Sequence, residues 1–151
     1  MTENIEIQRL NNESIKNFIA LVRVFEDVFE MKDFVIPSES YLQHVLEKED
    51  FMVFVALHQN EVVGGLTAYT LAAYYVESSY VYIFDLAVKR EFQRQGIGKM
   101  LISGINNYCQ SIGVDEVFVQ ADLEDDHAID FYRATGGLAE DVIHFTYPLK
   151  K

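Results

Sequence analysis

The chain has 151 residues, half of them apolar and 13% aromatic, enough to bury the core of one domain, expected over residues 1–151. Its 24 acidic against 12 basic residues leave a formal charge of −12, which disfavours nucleic acid and anionic membranes as partners and favours cationic ones. A single cysteine, Cys109, excludes an intrachain disulfide; without an apolar leader in MTENIEIQRL or an apolar run near the ~18 residues of a membrane span, a cytoplasmic protein is expected.

The first segment, IEIQRL, alternates as a strand, and NNESIKNFIALVRVFEDVF then places Ile15, Phe18, Ile19, Val22, Phe25 and Phe29 at helical spacing. After Pro37, Ser38 is suited to cap a second, shorter helix with Tyr41, Leu42, Val45 and Leu46 on its apolar face. FMVFVALHQNEVVGGLTAYTLAAYYV reads as two strands joined by a polar turn at His58–Glu61, with Gly64 and Gly65 marking a bulge. SSYVYIFDLAV is a long aromatic and β-branched strand interrupted by one charge, Asp85. A helix with Ile97, Leu101, Ile105, Tyr108 and Ile112 on one face follows and ends at Gly113. VDEVFVQA is a strand, DDHAIDFYRATGG a helix closed by Gly136 and Gly137, and EDVIHFTYPL a last strand. The order βααβββαβαβ implies an α/β fold around a mixed sheet.

Two stretches carry chemistry. In QRQGIGK, Gly96 and Gly98 let backbone amides approach a ligand at a helix start, where the partial positive charge favours phosphate groups. Lys89, Arg90, Arg94 and Lys99 gather four of the twelve cations there, so an anion belongs at this turn. The stretch is neither a P-loop nor a complete dinucleotide fingerprint. In QADLEDDHAIDFY, the carboxylates Asp122, Glu124, Asp125 and Asp126 crowd into five positions ahead of a helix. One of them can cap that helix, but four exceed the need. The four histidines, His44, His58, His127 and His144, lack zinc-like spacing, so no metal is expected. Cys109 lies on the apolar face of its helix and reads as a packed core residue.

YIFDLAVKREFQRQGIGKMLI resembles motif A of the GCN5-related N-acetyltransferases (GNAT), whose [QR]-x-x-G-x-[GA] signature is met by Gln93, Gly96 and Gly98. DDHAIDFYRATGG resembles the later helix of that family, with Ala128, Phe131, Tyr132 and Gly136 in place. The resemblance implies a GNAT-type fold, a mixed and mostly antiparallel sheet of six to seven strands with about four helices. It implies acetyl-coenzyme A as acetyl donor, its pantetheine arm on the backbone of Leu86, Ala87 and Val88. The turn of Gln93, Arg94, Gln95, Gly96, Ile97, Gly98 and Lys99 would hold its pyrophosphate. Tyr132 would protonate the departing thiolate, a suitable task for a phenol that ordinarily titrates near about 10.

Several further blocks, VFEDVFE, SESYLQHVL, VVGGLTAYTL, YIFDLAV, VFVQAD and VIHF, resemble the type I aminoglycoside 3-N-acetyltransferases. That likeness implies a homodimer and an acceptor bearing several ammonium groups, most specifically the 3-amino group of a 2-deoxystreptamine drug. Asp85 and Asp122 are candidate general bases. Glu26, Glu30, Asp85, Asp122, Glu124, Asp125, Asp126 and His144 are candidate acceptor contacts. An acetyltransferase for polyamines or other small amines, and a noncatalytic acyl-coenzyme A binding module, are the alternatives.

Overall fold

The computed structural model describes residues 4–150. The chain divides into two compact units, Met1–Gln120 and Ala121–Lys151. The first holds strands β1 (Ile5–Arg9), β2 (Phe51–His58), β3 (Glu61–Ala72), β4 (Ser79–Val88) and β5 (Glu116–Val119) with helices α1 (Ile15–Val28), α2 (Glu39–Leu46) and α3 (Ile97–Ser111). The second holds α4 (Asp126–Ala134).

The five strands form one sheet in sequence order. Neighbours from β1 to β4 run antiparallel, and β5 pairs parallel to β4, so the sheet is mixed and mostly antiparallel as expected. β2 reads as a continuous apolar run because both of its faces are covered. Phe51, Val53, Val55 and Leu57 join Phe18, Leu21, Val24 and Phe25 of α1 and Leu42 and Leu46 of α2 in one core. On the opposite face, Phe54 meets the Tyr108 ring of α3 edge-on at 5.9 Å.

Local signals ended the helices where the sequence implied. Ser38 Oγ accepts the Tyr41 amide at the start of α2. Gly113, at φ +80°, ends α3 in a left-handed turn that lets the Val114 amide reach the Cys109 carbonyl at 3.0 Å. The apolar face of α1 differs from the expected one: Leu21 and Val24 are buried with Phe18 and Phe25, while Phe29 falls beyond the last turn and is exposed.

Two sequence expectations are corrected. The described sheet has five strands, not six to seven. EDVIHFTYPL, expected as a last strand, is assigned to none: the second unit by itself holds α4 and no strand to pair with it, and a strand has no internal hydrogen bonds of its own.

Candidate active site

The site is built on an irregularity of β4. Its partner β3 pairs Thr67 with Asp85 and Ala68 with Ile83, so Phe84 is an extra residue, a β-bulge. The bulge breaks the alternation of the strand: Val81 and Ile83 are buried, Phe84 is 57% exposed, and Asp85 and Leu86 are half-buried. On its other side, β4 pairs with β5 only from Tyr80 to Ile83. Beyond Ile83 the two strands part, and the backbone of Phe84–Val88 has no β5 partner along that edge. A chain-like ligand with amide groups can add there as a strand would.

Asp85 stands at this parting. Burial pushes its carboxyl above the usual carboxylate range, the direction a proton acceptor needs if it is to work near neutral pH. Phe84 meets Tyr69 and Tyr82 edge-on at 5.8 and 5.9 Å, and Tyr82 stacks on Phe118 at 4.9 Å. The Tyr69 phenol is pushed upward by burial first, then by Tyr41, Asp85 and Asp50. Tyr82 donates its hydroxyl to Gln120 Oε1 at 3.0 Å, bridging the strands near the point where they separate.

After β4 the chain makes a short 3-10 turn, Arg90–Phe92, and then the glycine-bearing turn. Gln93 donates its side-chain amide to the Val88 carbonyl at 2.8 Å, so it ties the turn to the end of β4. Arg94 and Gly96 both take positive φ, 61° and 85°. Gly96 is the residue flanking α3, and the first bond into the helix runs from the Met100 amide to the Gly96 carbonyl at 3.0 Å. The amides of Ile97, Gly98 and Lys99 therefore lie in the first turn, ahead of any intrahelical acceptor. This open end, with the exposed Arg94 and Lys99, fits an anionic pyrophosphate.

Arg90 departs from the expected cation cluster. It faces the end of α1, pairing with Asp27 at 3.1 Å and Glu30 at 3.4 Å while donating to the Asp27 carbonyl at 2.9 Å. Glu26 in turn pairs with Arg23 at 2.7 Å. Glu26, Asp27, Glu30, Met31, Lys32 and Arg90 line an open concavity of about 580 Å3. The structure thus brings the expected Glu26 and Glu30 together and adds Asp27 and Arg90, which the sequence reading had not assigned to an acceptor site.

In the second unit, Asp125 caps α4: its Oδ1 accepts the Ala128 amide at 3.1 Å, and its own amide bonds the Asp122 carbonyl at 2.9 Å. One carboxylate of the acidic run is committed locally, whereas Asp122, Glu124 and Asp126 are exposed. Tyr132 is half-buried, two residues from the helix end. Its carbonyl accepts the Gly137 amide at 2.8 Å while the Gly136 amide reaches Arg133 at 3.0 Å, closing α4 by the paired-bond glycine motif. A Cβ on Gly137 would sit 2.9 Å from the Tyr132 carbonyl, so the second glycine is required by close approach. His144 is exposed and lies in no strand. Among the described residues no group of histidine, cysteine and carboxylate side chains could hold a metal ion.

Residues 18–136 match the acetyltransferase (GNAT) family. The chain belongs to that family. This acetyltransferase is 50% identical to an aminoglycoside acetyltransferase, meta-AAC0020, from an uncultured soil metagenomic sample, solved in complex with trehalose. The match covers 99% of this chain and 100% of that one with a TM-score of 0.97. The sisomicin complex of the same relative matches at 51% identity over 97% of each chain, with a TM-score of 0.96. A second soil metagenomic aminoglycoside acetyltransferase, HMB0005, is 32% identical over 97% of this chain and 99% of its own, with a TM-score of 0.90. No curated protein matches the sequence.

Within the acetyltransferase, two features of the site escaped the sequence reading. The Phe84 bulge left one trace, an aromatic residue and a charge adjacent in an otherwise alternating strand. The Arg90 pairing left none, since its partner Asp27 is 63 residues away in the chain.

Proposed function

We propose that this protein is an acetyl-coenzyme A dependent aminoglycoside N-acetyltransferase acting on the 3-amino group, a cytoplasmic homodimer that confers resistance to its substrates. The observation that carries the reading is the backbone edge of β4 from Leu86 to Val88 that β5 leaves unpaired, leading through Gln93 into the open first turn of α3. That run matches the order of groups in coenzyme A, an amide-bearing arm followed by a pyrophosphate. The likeness to an aminoglycoside acetyltransferase solved with sisomicin supports the acceptor class. The carboxylates of the chain, 24 against 12 cations, suit a polycationic acceptor.

When bound, the donor supplies an activated acetyl thioester. Leu86, Ala87 and Val88 would hold its arm by strand-like hydrogen bonds, and the amides of Gly96–Lys99 with Arg94 and Lys99 would hold its phosphates. Asp85 takes the proton that the acceptor ammonium must lose to become the attacking amine, the role favoured by its raised pKa. Tyr132 would give its phenolic proton to the departing thiolate and be reprotonated by the second proton that the acetylated nitrogen sheds to solvent. Glu26, Glu30, Asp122, Glu124, Asp125, Asp126 and His144 attract and orient the acceptor.

Release of free thiol from acetyl-coenzyme A, followed in parallel with sisomicin, spermidine and a lysine peptide, tests the reading. Turnover on sisomicin with acetylation mapped to the 3-amino nitrogen, and raised drug tolerance of cells expressing the protein, is expected. Preference for spermidine would transfer the protein to polyamine chemistry, and binding without thiol release would make it a noncatalytic module.

A further inference from the structure

A line of aromatic rings runs out of the core along the face of the sheet that α1 and α2 cover. Phe18 meets Phe51 at 5.7 Å, Phe51 meets Tyr69 at 5.1 Å, and Tyr69 meets Phe84 edge-on at 5.8 Å. Exposure climbs along the line, from 4% and 8% at Phe18 and Phe51 to 36% at Tyr69 and 57% at Phe84. The first two rings belong to the buried cluster, whereas the last two are braced by their neighbours but lie outside it.

Carboxylates flank the open end of the line. Thr67 and Tyr69 are alternate residues of β3, about 7 Å apart on one face. Asp85 pairs with Thr67, so Tyr69 and Asp85 share that face. Asp50 approaches from the β2 side, where its carbonyl accepts the Thr70 amide at 2.8 Å. The Tyr69 phenol feels the groups around it: after burial, Tyr41, Asp85 and Asp50 push it upward. Tyr41 of α2 and Asp50 are exposed, and all of these residues belong to the first unit.

Open aromatic rings beside a few carboxylates suit one class of cation. A cyclic aminosugar offers a C–H face to an aromatic ring and carries its ammonium groups around the rim, whereas a linear polyamine has the charges but no such face. We infer that Tyr69 and Phe84 form a stacking corner for the ring of a cyclic aminosugar whose ammonium groups are met by Asp50 and Asp85. The inference rests on the aminoglycoside reading above and adds to it the residues that favour a ring over a chain. Charge alone does not make that distinction, because the carboxylates attract either amine.

Calorimetry with sisomicin and with spermidine, on wild type, Tyr69→Leu, Tyr69→Phe and Phe84→Leu, tests the corner apart from turnover. Tyr69→Leu and Phe84→Leu should each weaken sisomicin binding about tenfold, while Tyr69→Phe, which keeps the ring, should stay within about twofold of wild type. Spermidine should bind all four proteins alike. In steady-state assays the KM for sisomicin should rise in the two leucine variants while kcat and the KM for acetyl-coenzyme A hold. Phe84→Leu, at the more exposed position, carries the test should Tyr69→Leu fail to fold. A wild type that does not bind sisomicin, unchanged sisomicin affinity in Phe84→Leu, equal losses for spermidine, or a loss in Tyr69→Phe as large as that in Tyr69→Leu would overturn the inference. A wild type that binds sisomicin through the two rings yet acetylates no amine would instead overturn the proposed activity and leave the corner standing.

Discussion

Gly64 offers a direct test of how the sheet shapes the donor site. It pairs with Ala56 of β2 and Val88 of β4, next to a second register shift where Val63 is the extra residue. A Cβ placed on Gly64 would lie 2.9 Å from the Ala87 carbonyl and 3.2 Å from the Val88 Cα and Cγ2. These neighbours are backbone or a short branched side chain, so β4 itself must retreat by about half an ångström to regain ordinary contact. Overpacking of this kind costs ~1–3 kcal/mol. Loss of glycine freedom in the unfolded chain returns about 0.4–1 kcal/mol. Gly64→Ala should therefore destabilise by ~1–2 kcal/mol, a fall in Tm of about 2–8 °C for a chain of this size by thermal melting. The displaced residues are the ones proposed to hold the pantetheine arm, so KM for acetyl-coenzyme A should rise about tenfold. Gly104→Ala is the control. Its Cβ crowds the Ile7 methyl at 2.9 Å, with Phe54 Cδ2 and Ile7 Cβ at ordinary contact distances of 3.9 and 4.0 Å, and about 1 kcal/mol of helix propensity offsets the close contact. A Gly64→Ala protein as stable as wild type would refute the packing account, and a destabilised one with unchanged KM would refute the link to the donor site.

Asp85→Asn should raise Tm at pH 7 while lowering turnover, because burial disfavours the ionised carboxyl that catalysis requires. With its folded pKa above the unfolded one, the contribution of Asp85 to stability is fullest below about pH 4 and is lost as pH rises through the folded value. The stability gain of the variant should therefore vanish in acid, as melts across pH will reveal; a gain that persists below pH 4 has some other cause. Tyr132→Phe should cut kcat by ~100-fold or more with acetyl-coenzyme A affinity nearly intact, measured by steady-state kinetics and calorimetry. Unchanged kcat removes the acid role. The Tyr80 phenol, hydrogen-bonded to Tyr75 at 2.6 Å, is pushed up to about 12, chiefly by that bond. Tyr75→Phe should bring it down toward 10, as followed by absorbance at alkaline pH. Arg90→Gln unpairs Asp27 and Glu30, and the KM for a polycationic acceptor should fall at low salt, with the difference fading as salt rises. A KM that rises would mean that Arg90 is needed to hold the concavity in shape.

Much of the local structure around the candidate site could be read in one dimension. The glycine turn, a capping carboxylate ahead of α4 (left open between Asp125 and Asp126), the closing glycines of α4 and the apolar helix position of Cys109 all depend on neighbours within about four residues, the range over which helix periodicity and capping act. The family likeness added the donor and its residues to these local signals. It could not say that Asp125 spends one oxygen on the Ala128 amide, nor that Gln93 reaches the Val88 carbonyl instead of a ligand. The strand count went too high because EDVIHFTYPL has every local mark of a strand, and propensity cannot supply the neighbour that a ladder needs.

From its sequence alone, then, the protein is an α/β chain with a glycine-bearing turn suited to an anion, surplus carboxylates and one charge misplaced in a strand. Tertiary structure decided where β5 leaves β4, that Phe84 is the extra residue turning Asp85 into its half-buried position, and that Arg90 locks α1. These depend on register between strands and on contacts across tens of residues. A sequence specifies such pairings only through the competition of whole packed arrangements, and no short window contains both partners.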